Sequence, residues 1–199
     1  MICGYQKTIF VPKQWQGKKV FFTIDGAAHY AEVFLNGEKC GEHYSGYTAF
    51  SLDVSEHLKY EAENVFTIKV DSRESLNIPP FGHVIDYMTY GGIYRDVYME
   101  VKEPLYLQDV FVKPEISGKI VSDIQLAGEI NKVEIKQTIR KEEKVVCEKS
   151  VPVTDNVVTL ECFVENVQLW EVDSPILYEV KTEVICEGIV TDTHRVRTG

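Results

Sequence analysis

The chain has 199 residues, enough to bury a hydrophobic core without covalent staples and suited to one large domain or two small ones. Its formal net charge is −10, with the acids spread rather than clustered, which argues against nucleic acid and against an anionic membrane surface as partners. The five cysteines, Cys3, Cys40, Cys147, Cys162 and Cys186, are odd in number, form no CxxC and have no histidine at ligand spacing. They read as buried free thiols, with a disulfide such as Cys147–Cys162 open but not indicated, and no metal or cofactor is expected.

Helical periodicity is nearly absent. In chain order, period-two alternation predicts strands at Lys18–Ile24, Ala31–Leu35, Val65–Val70 and Ile93–Val101, then at Asp109–Val112, Lys132–Ile139, Lys144–Val151, Val157–Val164 and Leu177–Cys186. Valine, isoleucine, tyrosine and phenylalanine fill these runs, as a half-buried pleated surface prefers. Asn36-Gly37 predicts a two-residue type I′ hairpin, since both residues tolerate positive φ. Short strands at this spacing predict an all-β protein built of sandwiches. Glu103-Pro104 ends the strand before it, because proline donates no ladder hydrogen bond, and the boundary is placed there: residues 1–103, then 104–199. The second part reads as a small sandwich with Lys/Glu-rich outer faces, immunoglobulin-like in architecture but without the Cys…Trp…Cys spacing of antibody domains. No charged segment precedes an apolar run at the N-terminus and no window approaches membrane-spanning length, so the chain reads as soluble and cytoplasmic.

Chemistry is harder to find. There is no GxSxG, HExxH, phosphate loop or GxGxxG opening a helix, and no carboxylate pair announces a glycosidase. His29, His43, His57, His83 and His194 are dispersed and read as surface or loop residues. Tyr44, Tyr47 and Phe50 form a candidate aromatic platform for a sugar, although edge packing is the plainer role. Trp15 and Trp170 read as anchors of their respective halves.

"GGIYRDVYMEV" (91–101) resembles the strand that closes the N-terminal, sugar-binding-like domain of glycoside hydrolase family 2. The ordered company it keeps strengthens the resemblance: Val33-x-x-Asn36-Gly37, the His43…Gly46-Tyr47-Thr48-x-Phe50 segment, the Glu63-Asn64…Val70-Asp71 strand, and Leu169-Trp170, Pro175, Leu177-Tyr178 and Arg197 near the end. The resemblance covers essentially the whole chain. It implies a jelly-roll, galactose-binding-like sandwich followed by an immunoglobulin-like one. Gly-Ile-Tyr-Arg-Asp-Val is closer to the family's β-galactosidases than to its β-glucuronidases, and by that likeness Asp86, nine residues before Arg95, would reach the active site. A carboxylate there accepts charge-strengthened hydrogen bonds from two sugar hydroxyls. Tyr90, Gly91, Gly92 and Arg95 would support the loop on the side facing the catalytic barrel, the glycines allowing close backbone approach and Arg95 forking to carboxylates or carbonyls.

The family's barrel needs about 250 residues, and its Asn-Glu acid/base dipeptide is nowhere in the chain. The resemblance therefore implies the non-catalytic N-terminal part of a β-galactosidase, itself short of the family's first strands, with no catalytic residue of its own. Its expected partners are a carbohydrate substrate reached through the full-length enzyme, the missing barrel and, in an assembly, further copies as a homo-oligomer. The alternative is a free-standing carbohydrate-binding or protein-interaction module.

Overall fold

The computed structural model describes residues 1–73, 75, 78 and 90–199. The chain divides into two compact units, Met1–Val101 and Lys102–Gly199. Each is built from β-strands. Those of the first unit are β1 (Ile2–Val11), β2 (Lys19–Ile24), β3 (Ala27–Ala28), β4 (Tyr30–Leu35), β5 (Glu38–Tyr44), β6 (Phe50–Asp53), β7 (Ala62–Asp71), β8 (Gly92–Ile93) and β9 (Val97–Lys102). A four-stranded sheet, β1-β7-β4-β5, faces a three-stranded sheet, β6-β2-β9, and the short pair β3-β8 lies at one end.

Alternation in the sequence sets this arrangement. In β4 every second residue is buried, placing Ala31, Val33 and Leu35 inside, and β7 contributes Phe66, Ile68 and Val70 from the same sheet. Val20, Phe22 and Ile24 of β2 meet them from the opposite sheet, with the Phe22 and Phe66 rings stacked at 4.6 Å. Burying side chains of this size contributes roughly 1.5–3 kcal/mol each. Asn36 and Gly37 turn β4 into β5 with φ of 52° and 90°, both positive, as the hairpin prediction requires.

The outer face of the four-stranded sheet is a charge ladder. Glu32 stands opposite Lys69 on β7 and opposite Glu42 on β5. Lys69 Nζ donates to Glu32 at 2.7 Å, while Lys39 Nζ reaches both Glu32 (2.9 Å) and Glu42 (2.5 Å), so a like-charge cross-strand pair is bridged by a cation. These two lysines, Lys69 foremost, hold the Glu32 carboxyl at about 2, below its ordinary 4.5. A depressed carboxylate stabilises the fold above its unfolded-state pKa, and that stability is lost as pH falls through the folded value. Thermal melts should therefore show wild type ahead of Glu32→Gln at pH 6, the gap closing between pH 4.5 and about 2. A gap independent of pH would contradict this.

The second unit contains β10 (Tyr106–Pro114), β11 (Lys119–Ala127), β12 (Val133–Lys141), β13 (Lys144–Val153), β14 (Val157–Phe163), β15 (Tyr178–Cys186) and β16 (Ile189–Thr198). Sheet β10-β11-β14 packs on sheet β13-β12-β15-β16 around Ile124, Ile135, Ile139, Leu160, Val180 and Val184, an immunoglobulin-like sandwich of three strands on four. Its core holds one polar island. Gln137 is fully buried, and its Nε2 donates to Ser122 Oγ at 2.8 Å and Thr182 Oγ1 at 3.1 Å, satisfying groups that would otherwise be expensive to desolvate.

Three expectations need correction. The Ile93–Val101 run is not one strand: Tyr94–Asp96 leave the ladder, Tyr94 N donating to Gly26 O and Asp96 O accepting from Asp25 N, and pairing resumes at Val97. Trp170 anchors nothing, being 48% exposed on a segment without a named strand, whereas Trp15 does pack against the core of the first unit. Among the cysteines, all free thiols, only Cys162 is buried.

Candidate functional site

β7 runs out at Asp71, and Ser72 is the junction beyond it. Ser72 Oγ donates to Ala28 O at 2.7 Å and accepts from Gly92 N at 2.9 Å, tying the end of β7 to both strands of the β3-β8 pair. The Asp71 carboxylate accepts from Arg73 N, Nε and Nη2, the last at 2.6 Å, and this fork holds its carboxyl at about 2. The chain thus leaves at Arg73 and returns at Tyr90 with both ends fastened to one point of the sandwich. Asp86 belongs to the intervening stretch and lies outside the described residues.

The return is built for glycine. Gly92 has φ +74°, and a Cβ there would stand 2.2 Å from Tyr5 Oη. The same phenol accepts from Ile93 N at 3.3 Å, so β1 closes over the Gly91-Gly92 backbone. Tyr90, 59% exposed, stacks on Tyr94 with ring centroids 4.9 Å apart and planes 10° apart. The Arg95 guanidinium lies over the Tyr94 ring, 5.1 Å from its centre, and Nη1 donates to Tyr47 O at 3.0 Å and Asp25 O at 3.4 Å. Tyr94 Oη donates to Gly46 O. Arg95 therefore forks to carbonyls, not carboxylates, and it and Tyr94 lash the 45–47 loop to the β2–β3 turn and to the start of β9.

Several participants were not read from the sequence as part of this site. Gly26 leaves room for the Arg95 side chain, whose Cδ a Cβ would meet at 2.9 Å, and Gly46 abuts Ala28 and His29. His29, expected at the surface, is buried beside Gly46 because Asp71 O takes its backbone N–H and draws the residue into the sheet end. Desolvation lowers its pKa, and its Nδ1 has no hydrogen-bond partner among the described residues. Tyr5 and Ser72 are likewise fixed by contacts distant in sequence.

The aromatic candidates divide. Tyr44 is 57% exposed and packs against Tyr30 beside the charge ladder, ring centroids 4.6 Å apart and planes tilted by 32°, Tyr47 offers its ring partly to solvent, and Phe50 stacks on His43. Among the described residues no group of three His, Cys, Asp or Glu is placed to hold a metal ion. What this end of the sandwich can do chemically is hold a loop in register and present ring faces and backbone donors. In the second unit, a cleft of about 470 Å³ is lined by Arg140, Lys141, Pro175, Leu177 and Arg197, gathering three of the motif residues read near the chain's end.

Comparison with known proteins gives a consistent result. The family model for "Glycosyl hydrolases family 2, sugar binding domain" matches residues 2–104, and that for "Glycosyl hydrolases family 2" matches residues 105–199. A β-galactosidase of Thermoanaerobacter pseudethanolicus is 36% identical over the whole chain, which spans 28% of that protein's length. A β-glucuronidase of Bacteroides fragilis is 28% identical, with 96% of this chain and 30% of that protein aligned. The crystal structure of a glycosyl hydrolase family 2 member from Bacteroides cellulosilyticus superposes with a TM-score of 0.89 at 25% identity, covering all of this chain and 26% of that one.

Proposed function

The chain belongs to glycosyl hydrolase family 2, and on that premise we propose that it serves a β-galactosidase as its non-catalytic part, buttressing the catalytic domain and forming one wall of the sugar pocket. The observation that carries this reading is the double fastening at Ser72, which brings Arg73 and Tyr90 together as the two ends of the stretch containing Asp86. A long connection anchored on a rigid sandwich is where binding residues concentrate. Asp86 is the sugar-binding residue of the proposal: its carboxylate accepts hydrogen bonds from two adjacent hydroxyls of the substrate. Tyr90, Gly91, Gly92 and Arg95 set the end of its loop. The two glutamates of a retaining hydrolase would lie outside these 199 residues. Galactosides are favoured over glucuronides because the β-galactosidase relative is the more similar and because an acid facing the sugar suits hydroxyls better than a uronate.

The test has two arms. The chain alone should turn over neither nitrophenyl β-galactoside nor nitrophenyl β-glucuronide. Placed in the Thermoanaerobacter pseudethanolicus β-galactosidase in place of the matching segment, it should support β-galactoside hydrolysis, and Asp86→Ala in that chimera should lower kcat/KM about a hundredfold, as loss of two charge-assisted hydrogen bonds implies. Turnover by the isolated chain, or an Asp86→Ala chimera equal to its parent, would sink the reading. The exposed rings of Tyr44, Tyr47 and Tyr90 favour a second one, a free-standing carbohydrate-binding module. Calorimetric titration with galactosides separates the two, since only the module should give saturable heat from the isolated chain.

A further inference from the structure

β13 and β14 are edge strands of the two opposed sheets of the second unit, and only residues 154–156 join them. Cys147 lies seven residues before that connection begins and Cys162 six residues after it ends, so each stands roughly 20 Å along its strand from the same turn. The strands touch: Lys149 Nζ donates to Glu161 O at 2.8 Å, beside both cysteines. Cys162 is a buried member of the core and Cys147 packs against that core from the other sheet. The two thiols also sense each other. Burial pushes the Cys162 thiol up to about 12, and repulsion by Cys147 and a hydrogen bond with it add to the effect.

We propose that Cys147 and Cys162 are a disulfide site that bridges the two sheets when the chain meets a disulfide oxidant of the oxidised-glutathione class. The Cys147 thiolate, more exposed, attacks one sulfur of the oxidant and expels a glutathione thiolate, leaving a mixed disulfide. The Cys162 thiol then loses its proton to solvent or to the departing thiolate and attacks the Cys147 sulfur, releasing the second glutathione. Two cysteine thiols are oxidised and one oxidised glutathione is reduced to two glutathiones. The second step is the slow one, because the buried thiol ionises reluctantly, and it quickens with pH. Cys162 Sγ now donates to Gln137 Oε1 at 3.5 Å, a contact the bridge would replace.

The experiment uses the native 199-residue chain held in oxidised glutathione, then alkylated and digested with trypsin without reduction. Cleavage after Lys149 separates the two cysteines into peptides 145–149 and 150–181. These should emerge joined, two hydrogens lighter than their sum. The bridged chain should melt on the order of 10 °C higher than the reduced chain, as closure of a loop of this length implies. Cys147→Ser, at a partly buried position, should lose both the joined peptides and the gain in melting temperature. Cys162→Ala, which leaves Cys147 in place, should retain glutathione on Cys147. Peptides 145–149 and 150–181 recovered separately from folded, oxidised wild type, or either joined to a peptide holding Cys3, Cys40 or Cys186, would overturn the proposal.

Discussion

Asn64→Ala should destabilise the first unit by about 3 kcal/mol, the sum of several modest bonds lost together. Asn64 is fully buried, and all of its polar capacity is used. Its Oδ1 accepts from Lys59 N and from Asn36 Nδ2, both at 2.9 Å, while Nδ2 donates to Lys59 O at 2.7 Å and Ala62 O at 3.1 Å. Asn36 continues the chain of contacts, its Oδ1 taking Val65 N at 3.1 Å. One amide thus joins the β4–β5 hairpin to the loop that enters β7. Alanine removes four bonds and leaves backbone groups at the sandwich end to find water. Asn64→Asp should be damaging for a narrower reason, since it keeps the acceptor and sets a carboxylate oxygen against two carbonyls. Urea unfolding followed by Trp15 fluorescence measures both. An alanine variant within about 0.5 kcal/mol of wild type would show that the network carries little of the unit's stability.

Gly128→Ala should cost the second unit about 4 kcal/mol, combining the strain of a side chain at this backbone angle with an overlap that has no soft partner. Its φ is +115°, and a Cβ would lie 2.4 Å from Pro104 O and 2.9 Å from Leu105 Cα. Both are backbone atoms at the entry to β10, so no rotamer change relieves the contact. The loop cannot retreat freely either: Asn156 Nδ2 donates to Leu126 O and Gly128 O, and Leu126 N donates back to Asn156 O. Thermal unfolding read through Trp170 should show the loss, and Asn156→Ala in the same background should soften it by releasing the loop. A Gly128→Ala chain as stable as its parent would mean that β10 starts elsewhere.

The sequence was most legible where alternation was strong and least where function or edges interrupted it. β4, β7, β12 and β15 announce themselves because apolar residues recur at alternate positions along much of their length, with Asn64, Gln137 and Thr182 as polar exceptions inside. β11 was not read as a strand although Ile120, Ile124 and Leu126 keep its period; the interruption at Ser122 is filled by Gln137 from the facing sheet, a contact that local pattern does not reveal. β1 escaped for another reason: as an edge strand it is exposed along most of its length, and Gly4-Tyr5-Gln6-Lys7-Thr8 shows no period. The family motifs were legible as an ordered set, and Asn36-Gly37 and Glu63-Asn64 prove to be two halves of one polar latch. The site was legible only at its loop. Tyr5, Gly26, His29, Gly46 and Ser72 enter it through contacts spanning tens of residues, for which local pattern carries no information. Arg95 was legible as a fork to carboxylates or carbonyls, but which carbonyls it takes, those of Asp25 and Tyr47, left no trace in the sequence.

On the function proposed above, the clasp at Ser72 has a thermodynamic consequence for ligand capture. Joining the two ends of a chain segment carries an entropic penalty that grows with the logarithm of its length. In this protein the ends are already joined by Ala28 O, Ser72 Oγ and Gly92 N as the sandwich folds. If the stretch they flank binds a saccharide as proposed, that penalty would already be met before binding, and more of the free energy released on contact would remain as affinity. On the same proposal, Ser72→Ala would shift the penalty back onto the encounter and weaken capture without changing Asp86 itself.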